Sequence, residues 1–461
     1  MRLYFSKVKC IWLIAIFCVF YSYLFSYILN VNSVFIKMFP LTGIVIFVMQ
    51  VVKDRKWYKK RYLWLGFLMI ASYVITILMN YKCNLIENCK NLYWLFMYFF
   101  LYYSYDVGQE ENGYRRGLYV FNNFFVILNL VTTVLSLLMF WAKIGISLKN
   151  EYGQFVLGYH LRWGRLYGIT NSVNGFARMA IISFVLLFVN YKLFELSKGW
   201  KMIYILNIIF SFLYLVASAT RGAELSFSIF LFIYIFGKKY ATMKENMLKR
   251  FTSSFMKAFA GSILFILCIL ILNVTLEWSI SASDRMSTNY LEIQIEKSDT
   301  ETKVTKTYMD LGEGGLFRNL TDPQSVEAVW QRRIAWKSVF EDHLLFGIGA
   351  ANERTYMELY GYPENQSLQI HMIPNIMVFA GLSGLSIYII MLLCIVVWSI
   401  KVLLRGKWNN DKDIGLCYLA LTLALTVYTV VMYSNSVMSV LYWLFAGCAM
   451  KFIGESKSDA D

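Results

Sequence analysis

Charge is scarce in this chain. Asp, Glu, Lys and Arg make up 16% of its 461 residues, against about a quarter in a soluble domain. With 58% hydrophobic residues, 18% aromatic residues and a mean hydropathy of +0.51, that shortage excludes an ordinary water-soluble fold. Other shortages narrow the choice. There are three histidines, no CxxC pair and no His-rich tract, so nothing supports a metal site. The short alternating segments of a transmembrane barrel do not appear. No small-residue cleavage site follows the first apolar run, and the next run comes quickly. Residues 10–30 therefore read as a retained signal-anchor helix. No internal repeat is visible, which counts against the repeated halves of many transporters. Proline is down to four, in a chain rich in Lys, Asn, Ile, Tyr and Phe, a composition that points to a low-GC genome.

What is present is a succession of apolar runs, each long enough to cross a hydrocarbon core about 30 Å thick. The expected fold is all-α and polytopic, with about twelve spans at 10–30, 35–52, 62–79, 91–105, 118–141, 172–190, 202–219, 222–237, 258–277, 373–398, 414–433 and 437–453. One set of connections carries more than half of the 44 Lys and Arg, including "KDRKWYKKR" (53–61), "KKYATMKENMLKR" (238–250) and "KVLLRGKWNNDK" (401–412). These segments are short, where the positive-inside rule has force. Both termini are thus expected in the cytoplasm. The net charge of +15 follows from this bias and does not call for nucleic acid. Residues 1–277 would hold nine spans, 278–372 an external loop, and 373–461 three spans and a short tail.

The two long outer connections are 142–171 and 278–372. "EIQIEKSDTETKVTKTYMDLGEGG" (292–315) is polar and reads as flexible, whereas "SVEAVWQRRIAWKSVFEDHLLFG" (325–347) carries apolar residues near helical spacing. A surface amphipathic helix is expected over about 325–341, with Arg332, Arg333 and Lys337 nearby. A lid that only seals the bundle would look the same. Cys83 and Cys89 share a short outer loop and could be bonded or free. His160, His343 and His371 all fall on the outer side or at its boundary. In "LVASATRGAELSF" (215–227), Arg221 stands at a tight outer turn between two spans, where snorkelling to headgroups is the alternative to a ligand role. Arg165 and the Arg332/Arg333 pair repeat the theme. Several guanidiniums converging on one outer cavity would suit a lipid pyrophosphate, which they bind bidentately.

Four segments resemble the O-antigen ligase and polymerase superfamily (Wzy and WaaL type), whose fold belongs to the GT-C class of membrane glycosyltransferases. "GRLYGITNSVNGFA" (164–177) resembles its R-x-x-G…N-x-x-N-x-x-A segment, and "SATRGAELSF" (218–227) its S-x-S-R-G-A segment. "RRIAWKSVFEDHLLFGIGAANE" (332–353) resembles R-x-x-x-W…PLFGVGxGxF, and "HMIPNIMVFAGLSGL" (371–385) the H-N…GLxGL segment. The likeness covers about 160–400, in order. It departs where Leu344 follows His343 without the usual proline, and where Met372 rather than Asn follows His371.

The resemblance implies glycosyl transfer from an undecaprenyl-pyrophosphate-linked glycan to a sugar hydroxyl, on the outer face of a bacterial cytoplasmic membrane, without a cofactor or metal. It implies that Arg221, Arg165 and Arg332 (or Arg333) hold the pyrophosphate or its sugar. His371 would activate the acceptor, and Gly347 and Gly349 would shape a turn. Glu353, Glu364 and Asn174 are secondary candidates. Partners would be the lipid-linked donor and acceptor, membrane lipids, and a chain-length regulator and flippase of the same pathway. The composition favours a repeat-unit polymerase for capsule or exopolysaccharide. The alternatives are a ligase acting on a terminal acceptor and, from another class, a flippase for lipid-linked oligosaccharide. On this topology, a cysteine placed at Thr302 is expected to react with an impermeant maleimide in intact cells; labelling only after permeabilisation would invert the arrangement.

Overall fold

The computed structural model describes residues 8–16, 18, 42–53, 58, 60–103, 111–142, 144–150, 153–160, 165–169, 173–218, 220–284, 289–297, 302–310, 341, 343–360, 372–404, 408–431 and 440–454. Most of them are helical. We number the helices α1 (8–16), α2 (Thr42–Lys53), α3 (Leu63–Met79), α4 (Leu85–Met97, continued by a π-helical turn Tyr98–Tyr103) and α5 (Glu111–Trp141). Then follow α6 (Val173–Leu193), α7 (Lys198–Ser218), α8 (Arg221–Thr242), α9 (Met247–Asp284), α10 (Glu353–Leu359), α11 (Met372–Leu403), α12 (Asn410–Val431) and α13 (Val440–Gly454).

Among the described residues, five helical stretches are long and apolar enough to cross a membrane: Gly113–Trp141, Val173–Leu193, Lys198–Ser218, Met247–Leu272 and Asn375–Leu403. Thr42–Val52, Leu63–Met79 and Val440–Gly454 are apolar but shorter. The protein is a mostly helical membrane protein. The window in α9 is only 11% buried, against 67% for α6. It packs one side on α8 through Phe232–Phe255 and Phe236–Phe251, with ring centroids 5.5 and 5.6 Å apart. The rest of its apolar surface suits lipid.

Polar groups stitch the helices together, because in hydrocarbon an amide must find its partner within the protein. Asn190 of α6 donates to Asn123 of α5 at 2.9 Å and to the Tyr204 hydroxyl of α7 at 2.9 Å, and Asn122 donates to Asn190 at 2.8 Å. Two turns along α5, Asn129 donates to Ser211 at 2.7 Å, while Ser183 and Ser211 donate to Asn207 at 2.9 and 3.1 Å. Such bonds contribute about 0.6 kcal/mol each inside a membrane. Their larger effect is to fix which faces of α5, α6 and α7 meet.

Basic residues collect at one end of the bundle. There Asp413, in the first turn of α12, accepts from Lys238 at 3.0 Å and Tyr234 at 2.8 Å, and pairs with Lys192 at 3.3 Å. Arg115 pairs with Asp411. Arg61 lies 4.5 Å over Trp398, and Lys451 3.6 Å over Tyr114.

The opposite end carries a five-stranded sheet, which amends the all-α expectation. Its strands are β1 (Ile144–Asn150), β2 (Gly153–His160), β3 (Arg165–Gly168), β4 (Asn289–Lys297) and β5 (Thr302–Asp310), in the order β3-β2-β1-β4-β5. All neighbours are antiparallel except β1 and β4. The two long connections, which look independent in sequence, thus meet edge to edge. The described part of the segment read as flexible lies in two antiparallel strands, β4 and β5, paired with each other. Its apolar residues alternate, and the register sets Leu291, Ile293 and Ile295 opposite Ile144, Ile146 and Leu148. The backbone register sets Glu296 opposite Lys303. Ile169 donates to Ser136 of α5 at 3.1 Å, and Phe140 meets Tyr159 edge-on at 5.3 Å, so the sheet is seated on the bundle.

Helix α11 is broken at Ala380 and Gly381, the latter at φ 64°. A turn from 344 to 349 docks into that break. Ile348 and Gly349 donate to the Val378 carbonyl at 3.1 and 2.9 Å, and Leu382 and Ser383 donate to the Leu344 and Leu345 carbonyls at 2.8 and 3.0 Å. The fit tolerates no side chain: a Cβ on Gly381 would lie 2.4 Å from the Leu345 oxygen and 2.5 Å from the Gly347 nitrogen. Gly381→Ala combines this overlap with a left-handed φ. It is expected to cost about 2–4 kcal/mol, read as a lower melting temperature in detergent. Gly199→Ala, with nothing within 4 Å of the new methyl, serves as the neutral control.

Candidate functional site

The candidate site is the sheet-bearing end of the bundle. Chain direction places the N-termini of α6, α8 and α11 there, because the other ends of these helices lie among the basic residues described above. Helix N-termini carry partial positive charge and unpaired N–H groups.

Arg221 opens α8 and is exposed. The residues around it explain its presentation. Ser218, Thr220, Gly222 and Ala223 are small and buried, so the end of α7 and the start of α8 close tightly. The Thr220 carbonyl accepts from the Ala223 and Glu224 amides at 3.0 and 3.2 Å, and its hydroxyl donates to Ser218 at 3.0 Å. The arginine is left as the exposed group among these buried neighbours. Glu224 follows in the first turn, half-buried.

Arg165 begins β3, paired with His160 of β2. Two residues on, the Tyr167 carbonyl accepts from Tyr214 of α7 at 3.4 Å. The strand that bears Arg165 and the corner that bears Arg221 are therefore at the same end, beside the last turns of α7. Gly168, at φ 72°, ends the strand where a Cβ would meet the Ser136 hydroxyl at 2.2 Å.

Asn174 lies in the first turn of α6, and its carbonyl accepts from the Tyr428 hydroxyl of α12 at 2.6 Å. One turn later on the same helix stands Arg178, half-buried and within electrostatic reach of Tyr428. Helices α6 and α8 run in parallel, matched by the ring contacts Phe184–Phe227 at 5.3 Å and Phe188–Tyr234 at 5.4 Å. Arg178 thus belongs to the same end as Arg221. Sequence reasoning passed over it, although an arginine five residues into an otherwise apolar span was signal enough.

Gly347 and Gly349 have the backbone role expected of them, at φ 69° and 83°. The turn they build is tied to α3 and α4. The Thr76 hydroxyl donates to the Phe346 carbonyl. Asn88 donates to Asn352 at 3.0 Å and accepts from Tyr73 at 2.9 Å and from the Ala351 amide at 3.2 Å. Asn80 accepts from Tyr356 at 2.5 Å, and burial pushes the Tyr356 phenol above its ordinary pKa, with Cys83 adding to the shift. Glu353 opens α10, half-buried, directly after this node. His343 meets the Tyr356 ring edge-on at 4.8 Å. Cys83 and Cys89 are both free thiols.

Arg332, Arg333, Glu364, His371 and the expected surface helix over about 325–341 lie outside the described residues, save Glu341, which is helical and exposed. Arg165 is described in its backbone. The structure therefore gathers Arg221, Arg178, Asn174 and the strand of Arg165 at one end. It also holds Gly347, Gly349 and Glu353 in a separate, tightly bonded turn. No family model matches the chain, and no curated protein matches its sequence.

Proposed function

We propose that the protein is a membrane glycosyltransferase that polymerises lipid-linked oligosaccharide repeat units. The donor is a glycan on undecaprenyl pyrophosphate, and the acceptor is a hydroxyl of the next lipid-linked unit. The reading places twelve spans and a GT-C-type fold in a bacterial cytoplasmic membrane. The termini and the basic end face the cytoplasm, and the sheet-bearing end faces outward. The observation that carries it is the convergence of Arg221, Arg178 and the Arg165 strand with helix N-termini at one end of an apolar bundle. Guanidiniums and helix N-termini both favour phosphate. The sequence resemblance supplies the reaction.

In the proposed mechanism the arginines stabilise charge developing on the departing pyrophosphate, the largest electrostatic contribution to such a transfer. A neutral His371 takes the proton of the acceptor hydroxyl as the hydroxyl oxygen attacks the anomeric carbon. The bond from that carbon to the pyrophosphate oxygen breaks, and direct displacement inverts the centre.

The test is incubation of purified protein with a synthetic undecaprenyl-pyrophosphate repeat unit, read as a glycan ladder. A ladder is expected; none, with folded protein, would remove the proposal. Arg221→Ala is expected to abolish the ladder at normal protein levels, and Arg221→Lys to restore little, because the bidentate fork is lost. Arg178→Gln is expected to lower the rate about tenfold or more, the loss of one charge-assisted bond. Full activity in Arg221→Ala would leave that side chain a headgroup contact only.

The rate should rise with pH as the His371 imidazole loses its proton, then level off. His371→Gln keeps hydrogen bonding but cannot act as a base. It is expected to stop polymerisation while donor binding persists. A full ladder from His371→Gln at neutral pH would shift the role to Glu353 or Glu364.

A further inference from the structure

At the basic end of the bundle, away from the proposed transfer site, a cleft lies between α1, α5 and α13. It encloses about 400 Å³ of space, its open mouth included. Side-chain bonds hold its walls together. The Cys10 thiol of α1 donates to the Gly117 carbonyl of α5 at 3.1 Å. The Tyr114 hydroxyl of α5 and the Cys448 thiol of α13 share a hydrogen bond of 3.3 Å.

The lining changes with depth, in the same sense on all three helices. Nearest the basic end are Lys9 of α1 and Tyr114 of α5, with the Lys451 ammonium of α13 lying 3.6 Å over the Tyr114 ring. One to two turns further in, the lining is Leu13, Leu118, Phe121 and Leu444. From Tyr114 to Phe121, and from Lys451 back to Leu444, the helices rise about 10 Å. The two lysines converge, since both act electrostatically on the Cys448 thiol. They are 6% and 2% exposed, although lysine is among the residues most seldom buried. Each ammonium carries three N–H donors, so a contact within the protein leaves it able to hold a ligand as well. Two like charges beside one thiol repel each other, and an anion near both relieves the repulsion.

A ligand matched to this gradient has an anionic head joined to an apolar tail. We propose that the cleft binds an anionic phospholipid from the leaflet at the basic end. Its phosphate meets Lys9 and Lys451, and the upper part of an acyl chain lies against Leu13, Leu118, Phe121 and Leu444. On the orientation proposed above, that leaflet is the cytoplasmic one, which carries the anionic lipids. A free phosphate would leave the apolar half of the cleft unused. The proposal does not depend on the polymerase reading.

The test uses full-length protein in phosphatidylcholine vesicles doped with phosphatidylglycerol that carries a photoreactive diazirine high on one acyl chain. Cross-linked peptides are read by mass spectrometry, and α9, with its exposed apolar surface, is the internal reference. Relative to α9, peptides holding Leu13, Leu118, Phe121 or Leu444 should be labelled at least about fivefold more by this probe than by phosphatidylcholine with the same diazirine. Unlabelled phosphatidylglycerol should compete, and inorganic phosphate should not. Combining Lys9→Gln with Lys451→Gln is expected to lower the cleft labelling about tenfold or more, at about fivefold for each cation lost, with α9 labelled as before. Equal cleft labelling by the two probes overturns the proposal, as does an unlabelled cleft beside a labelled α9, or labelling unchanged in the double variant. Displacement by inorganic phosphate would overturn the lipid assignment and leave an anion site. Where the double variant fails to accumulate, Lys9→Gln alone decides: a loss of about fivefold supports the site, and unchanged labelling overturns it.

Discussion

The structure depends on an exchange of backbone hydrogen bonds between a broken helix and a turn. A helix interrupted inside a membrane protein frees N–H and C=O groups, and no water is at hand to take them up. In α11 the break falls at Ala380 and Gly381, and the turn from 344 to 349 supplies the missing partners on both sides of it. Neither part would hold alone. The turn needs a carbonyl to receive the Ile348 and Gly349 amides, and the break needs carbonyls to receive Leu382 and Ser383. Three glycines with left-handed φ, Gly347, Gly349 and Gly381, allow the two backbones to approach this closely. The consequence is long-range: residues of α3 and α4 come to hold a segment more than 260 positions away in the chain.

The two ends of the bundle differ in how they treat charge. At the basic end, cations are matched locally: Asp413 serves Lys192 and Lys238, and Asp411 serves Arg115. Pairs of this kind hold helix ends in register, although three cations there share two carboxylates. At the sheet-bearing end the arginines stand with helix N-termini, so positive charge is added to positive charge. Between the ends, the Asn122–Asn190–Asn123 and Asn129–Asn207 clusters fix the facing of α5, α6 and α7. That keeps Asn174 and Arg178 of α6 at a set position relative to the sheet.

The apolar runs were legible because hydropathy over about 20 residues is a local property. Described helix falls within each of the twelve segments read from the sequence. The sheet was not legible. The β1–β4 pairing joins Ile144 to Leu291, and no local pattern announces a partner that far along the chain. The β4–β5 hairpin was hidden by its polar residues: Glu292, Gln294 and Glu296 interleave Leu291, Ile293 and Ile295, and residues 297–306 that follow are almost all charged or hydroxyl-bearing. The glycines of "FGIGAAN" revealed a turn, and the structure gives them that role. Asn88 revealed nothing, because an asparagine near a loop reads as a turn former. Two of its three side-chain bonds, to Asn352 and from the Ala351 amide, exist only once the 344–352 turn is in place. Arg178 lay one residue beyond the matched motif "VNGFA", which drew attention to its neighbours instead.

The placement of Arg221 shows why an empty site and an occupied one would differ. An arginine in the first turn of α8 opposes the helix dipole, a cost of a few tenths of a kcal/mol to about 1 kcal/mol at an exposed position. Glu224, one turn on, sits where the same dipole favours a negative charge. Stability alone would be served by the glutamate without the arginine. An anion bound at this corner reverses the sign of the arginine's contribution, because guanidinium and amides then face one ligand together. The residues near it, Ser218, Thr220, Gly222 and Ala223, are small and buried, which leaves the arginine as the group presented to a ligand. On the proposed reading, the corner gives up a little folding stability for a phosphate site.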